Sequence, residues 1–270
     1  MQTPNIVEDG LHPQPECGKL PVEPMQLLAR LKSRLEGVGS MGIPTKTRAF
    51  SLILKGIVAL SAAVGVFLSA YASRNTFMGG NRVFMYFTIQ SNIAVAVLSL
   101  IGAVLLLRPG RIPNGWYVVK FMGTVSITLT GVVFTFVLAP TLGRHAWNPQ
   151  NVLTHVVVPL AAILDFFVTG PYGSISKKDV LFVTLPPLAY AIYAGIGYAA
   201  GWEFAQGIRY PYFFLNWGSP AGAFGFTSGL PFMGCVWWIL ALLLFLLAVA
   251  FVYLLILSGI RKRIGVFSGS

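Results

Sequence analysis

Charge is what this sequence has least of. Only a tenth of its 270 residues are Asp, Glu, Lys or Arg, and the 8 acidic ones are far outnumbered by 19 basic ones. So few charges cannot clothe the surface of a protein dissolved in water. Cysteine is scarcer still: Cys17 and Cys235 are the only two, and the topology derived below puts them on opposite faces of a membrane. No disulfide or thiol metal site follows. Of three histidines only His155 lies inside an apolar stretch, which argues against a bis-histidine haem carrier. Internal repeats and midplane polar sites, the marks of many transporters, are absent. So is a basic stripe interleaved with aromatics, and nucleic acid is not an expected partner despite a net charge of +11.

What is abundant is hydrocarbon. Apolar residues make up 56% of the chain, and they fall in six long blocks at 52–72, 83–107, 116–139, 151–169, 180–200 and 236–258. A spanning helix needs about 20 apolar residues to cross roughly 30 Å of hydrocarbon. A β-barrel would show short alternating segments instead. The expected fold is therefore all-α, a polytopic bundle of six transmembrane helices over 51–260. Lys19, Arg30, Lys32, Arg34, Lys46, Arg48, Arg108, Arg111, Lys177, Lys178, Arg261, Lys262 and Arg263 all fall on one side, against Arg74, Arg82, Arg144 and Arg209 on the other. By the positive-inside rule both termini are cytoplasmic.

Residues 1–50 precede the first apolar run and read as a largely disordered cytoplasmic tail. Within it Met25, Leu28, Leu31 and Leu35 recur at helical spacing, so 25–36 is either a short interfacial helix or a solvated linker. Met25 and Met41 both precede the membrane part, so a later start is a third reading of this region. Residues 261–270 form a short second tail.

Polar groups inside hydrocarbon carry the functional information, because each is costly there. The second block opens with Tyr86-Phe87-Thr88-Ile89-Gln90-Ser91-Asn92, in which Thr88, Ser91 and Asn92 share a helix face. The fourth opens with Asn151-Val152-Leu153-Thr154-His155, followed by Pro159 and Asp165. Pro159 cannot donate to the carbonyl of His155, so a bend with a free acceptor is expected there. Thr88 and His155 lie at a common depth, roughly 6–8 Å inside the outer boundary, and can meet in one pocket. A hydroxyl beside an imidazole is the minimal nucleophile and general base of ester hydrolysis. Asn92 or Asn151 can orient the imidazole or donate to an oxyanion. Against this, a membrane threonine usually bonds back to its own helix. Asp165 sits about 15 Å deeper than His155, at the level of Lys55 and Lys120, and reads as part of a structural ion pair with one of them.

These runs, with Arg209-Tyr210-Pro211-Tyr212-x-Phe214-Leu215 before the last helix, resemble a bacterial branch of the androgen-induced-protein family over about residues 50–260. That family comprises six-helix membrane proteins, and its animal members are threonine hydrolases of fatty acid esters of hydroxy fatty acids. The resemblance implies a bacterial plasma-membrane location, a lipid or fatty acyl ester substrate, Thr88 as nucleophile and His155 as catalytic histidine. One departure is that the Phe-Thr-Ile-Gln-Ser-Asn run is similar to bacterial members rather than to the animal hydrolases. The competing reading is a non-catalytic lipid-binding or scaffold protein, indifferent to loss of Thr88.

Segment 201–235 is too polar and too rich in glycine and proline to span. Its aromatics suit either a lid over the Thr88 pocket or an ordinary interfacial loop. No cofactor is expected, and the only conceivable metal ligands at that end, His145, His155 and Glu203, make a poor set.

Overall fold

The computed structural model describes residues 43–76 and 79–265; the possible helix at 25–36 lies outside them. The described chain is all-helical. Six helices are long and apolar enough to cross a membrane: α1 Thr45–Ser73, α2 Phe87–Leu107, α3 Asn114–Leu142, α4 Pro149–Tyr172, α5 Lys177–Ala199 and α6 Cys235–Arg263. Their outer faces expose large apolar side chains such as Leu60, Phe67, Leu107 and Leu244. Hydrocarbon is the solvent in which such a surface is stable.

Several boundaries differ from the hydropathy blocks for local reasons. α1 begins at Thr45, directly after Pro44, so part of the expected tail is helix. α2 begins at Phe87 because Gly80–Met85 wind as a 3-10 turn and Tyr86 is extended. α5 opens with a 3-10 stretch, Lys177–Thr184, before its α-helical part at Leu185–Ala199. Pro186 and Pro187 have no N–H to continue an α ladder through that point. α6 runs on to Arg263. Arg261, expected in the tail, is buried instead and its guanidinium donates to the carbonyls of Gly170 and Gly173.

Two helices widen where they face each other. α3 contains a π turn at Phe134–Leu138 and α4 one at Leu153–Val157. Each ends two residues before a proline, Pro140 and Pro159. A proline interrupts the regular ladder, and one wide turn absorbs the mismatch. The expected bend at His155 thus takes the form of a π turn. Its carbonyl packs against Gly131 of α3, where an added Cβ would lie 2.9 Å from it. On the other side Gly65 of α1 meets Thr154 and Leu153, with only 2.7 Å between an added Cβ and the Thr154 methyl. Small residues let the widened turn of α4 sit tightly between α1 and α3.

Apolar packing holds the rest. Phe121, Phe166, Leu246 and Leu257 join α3, α4 and α6, and Val58, Val95, Ile127 and Val158 join α1 to α4. Segment 201–234 folds back onto the bundle: Phe204, Phe214 and Leu215 are buried with Tyr190 and Ala194 of α5. The Tyr86 hydroxyl donates to the Phe204 carbonyl (3.2 Å) and the Tyr190 hydroxyl to that of Met85 (3.0 Å).

Candidate active site

Two polar clusters interrupt the apolar interior. The first is closed. Asp165 of α4 meets Lys55 of α1 at 2.5 Å and Lys120 of α3 at 2.6 Å, and all three side chains are buried. Ser51 donates to the second carboxylate oxygen, and Lys120 also reaches the Asp165 carbonyl (2.9 Å) and the Thr169 hydroxyl. Gly102 of α2 makes room for the Lys55 stem, since an added Cβ would lie 2.8 Å from its Cε. Asp165 therefore binds both lysines rather than one, and it takes no part in orienting His155.

The second cluster is open. Ser69 and Ser73 of α1, Thr88 of α2, and Asn151, Thr154 and His155 of α4 line a cavity of about 340 Å³ beside segment 80–86. His155 is buried, and its ring stacks on Phe134 with centroids 3.7 Å apart and planes 8° from parallel. The two π turns place those rings face to face. His155 Nδ1 has no hydrogen-bond partner among the described residues. A buried ring nitrogen without a partner is costly unless a ligand or water completes it.

Thr88 stands on the wall between this cavity and a second, apolar one of about 70 Å³, walled by residues such as Leu129, Val133, Tyr190, Phe214 and Leu242. Its hydroxyl does not bond back to its own helix. Thr88 is the second residue of α2, so no helical carbonyl lies four residues behind it. Its neighbour is the Tyr212 hydroxyl, 3.4 Å from Thr88 Oγ1, which also accepts from the Thr88 N–H (3.3 Å). Burial raises the Tyr212 pKa, opposed by the bonds from Thr88. The protonated phenol has a hydrogen to give to an oxygen near Thr88.

The structure brings Thr88, Asn151 and His155 to one cavity, but no hydrogen bond joins Thr88 to His155. Ser91 and Asn92 do not line that cavity. The Ser91 hydroxyl is engaged by the Thr88 carbonyl (3.1 Å) and Thr130 Oγ1 (2.9 Å). The Asn92 amide donates both its hydrogens, to the carbonyls of Thr88 (2.8 Å) and Thr154 (3.2 Å), leaving none for an oxyanion. Asn92 instead ties α2 to the π turn of α4.

The chain matches no family model, no curated protein and no solved structure. The chemistry must therefore be read from the geometry alone. Tyr212 is the residue to which the sequence assigned no chemistry. It lies in the Tyr210-Pro211-Tyr212 run, but an aromatic in such a loop reads as membrane-belt material until the fold sets its hydroxyl on Thr88. Glu203 pairs with Arg82 at 3.1 Å, which engages the one carboxylate of that segment.

Proposed function

We propose that this protein is an intramembrane lipid-ester hydrolase with Thr88 as nucleophile and His155 as general base. The observation that carries the reading is the position of Thr88, its hydroxyl unclaimed by its own helix, between an apolar cavity and a polar one. An acyl chain seats its first carbons in the apolar cavity, and the alcohol portion occupies the polar one. Thr88 Oγ1 attacks the ester carbonyl and its proton passes to His155, directly or through one water. The Tyr212 hydroxyl is the donor at hand for the oxyanion. Collapse of the tetrahedral intermediate expels the alcohol, which takes the proton from His155. Water then attacks the acyl-threonine, His155 accepting its proton and returning it to Thr88 Oγ1 as the fatty acid leaves. The unpartnered Nδ1 of His155 supports this assignment.

In this reading the protein lies in a bacterial plasma membrane with both termini cytoplasmic, so the site opens to the outer leaflet. Cysteines replacing Lys46 and Arg144 in a cysteine-free background should differ in labelling by an impermeant thiol reagent on intact cells, only the second reacting. Equal labelling defeats the orientation.

The hydrolase is tested by incubating purified protein with a panel of lipid esters and a fluorophosphonate probe. Wild type and Ser91→Ala should label and turn over; Thr88→Ala should abolish labelling. A second reading, non-catalytic lipid binding, draws on the absence of a Thr88–His155 hydrogen bond and on Tyr212 taking its place. It prevails if the wild type binds lipid but neither labels nor hydrolyses any ester.

A further inference from the structure

If Thr88 is the nucleophile, the polar cavity beside it holds the alcohol portion of the substrate, and its walls are selective in two ways. The first is charge. No Asp, Glu, Lys or Arg lines it among the described residues. A charged head group would enter a site inside the spanning region with no counter-ion.

The second is the direction of its hydrogen bonds. A serine or threonine hydroxyl has one hydrogen to give and two lone pairs to receive. Here the hydroxyl hydrogens point away from the cavity, while the Gln150 amide on the same wall adds donors as well as an acceptor. Ser69 donates to the Gly65 carbonyl (2.8 Å), Ser73 to Ser69 (2.7 Å), Thr76 to Ser73 (2.8 Å) and Thr154 to Gln150 (2.8 Å). The Asn151 amide donates to the Ala146 carbonyl (2.8 Å), and the Tyr86 hydroxyl to Phe204. With those hydrogens engaged, the hydroxyls offer the cavity oxygen lone pairs, and the second amide hydrogen of Asn151 remains a donor beside them.

A neutral cavity of about 340 Å³, its largely apolar wall set with uncharged donors and acceptors, lies within the size range of small-molecule sites. It rewards a guest that brings hydrogen-bonding groups without charge. A phosphate diester or a carboxylate brings a negative charge that no cation on the wall balances. An ammonium brings donors but also an unbalanced charge.

We propose that the cavity receives an uncharged, hydroxyl-rich head group, the glycerol or sugar portion of a neutral lipid ester, and disfavours phosphate, carboxylate and amine head groups. The test separates binding from turnover by using non-hydrolysable single-chain probes of equal chain length: an alkylglycerol ether, an alkyl phosphate, a fatty acid and an alkylamine. Their affinities are measured on wild-type protein in nanodiscs. The glycerol ether should bind about tenfold tighter than each charged probe, or better. Thr76→Lys, at an exposed position on the cavity wall, should narrow or reverse the gap between glycerol and phosphate. A charged probe that binds wild type as well as the glycerol ether overturns the assignment, as does failure of the glycerol ether to bind. Selective glycerol binding without turnover of any ester leaves the cavity assignment standing and removes the hydrolase. Turnover that favours acidic head groups does the reverse.

Discussion

The Lys55–Asp165–Lys120 cluster and the Thr88–His155 cavity use the same expensive material, polar side chains buried between apolar helices, in opposite ways. At the first, the carboxylate is met by two ammonium groups and the Ser51 hydroxyl, and the adjoining space is about 10 Å³. That is room for about one water molecule. At the second, a buried imidazole nitrogen has no partner and about 340 Å³ lies open beside it. Burying polar groups in hydrocarbon is tolerated when they satisfy one another, and a cluster that does so has no capacity left for a ligand. The cluster that fails to do so is where chemistry can happen.

The contrast breaks most sharply at Asp165. Asp165→Ala strands two buried ammonium groups, and removing one partner of a buried pair costs about 3–5 kcal/mol. Folded yield and melting temperature should collapse; normal yield with lost activity would move Asp165 into the functional cluster. His155→Phe should do the opposite. The ring stack on Phe134 survives, so melting should hold, while turnover falls about 10²–10⁴-fold with loss of the base. Tyr212→Phe should lower kcat about 10²-fold, with probe labelling of Thr88 retained, if the phenol donates to the oxyanion. Unchanged kcat would reduce Tyr212 to a cap on the amino end of α2.

Smaller effects sharpen the same comparison from outside the spans. Burial raises the pKa values of Tyr86 and Tyr212 above the ordinary phenol value. Below about pH 10 both are protonated, folded or unfolded, and their contribution to stability is fully present. Above it the unfolded chain releases protons that the folded one retains, so stability is lost as pH rises toward the folded values. Thermal melts across that range should show the decline, and Tyr212→Phe should reduce it. Least of all should follow from Glu203→Gln. The Arg82–Glu203 pair is about two-fifths exposed, with side chains at 37% and 44%, and such pairs contribute at most about 1 kcal/mol. A melting shift of many degrees would mean that this pair holds segment 201–234 in place.

How much of the site was legible depends on how local its cause is. The proline after His155 and the position of Thr88 at the start of its helix are read directly from residue order. So is the common level of Asp165, Lys55 and Lys120, because helical rise converts sequence distance into depth. The direction in which a residue faces is harder. Ser91 and Asn92 share the face of Thr88 by spacing, yet Thr130 and the Thr154 carbonyl engage them. Those partners come from α3 and α4, and no periodicity in α2 announces them. The role of Tyr212 was hidden for a related reason. A loop has no period, and its aromatics suit a membrane belt and a buried core equally well.

By itself, then, the sequence determined the solvent, the number of spans, the level of each polar group and the breaks that prolines impose. All of these follow from composition and from geometry within one helix. Only the tertiary structure decided that the breaks before Pro140 and Pro159 become facing π turns, and that Phe134 covers His155. It also decided that Asp165 holds both lysines and that a hydroxyl from segment 201–234 reaches Thr88. Each of these is a contact between segments distant in the chain. In a bundle whose outer faces are uniformly apolar, the rotation of each helix is set by side-chain packing and hydrogen bonds to its neighbours, not by a hydrophobic gradient of its own.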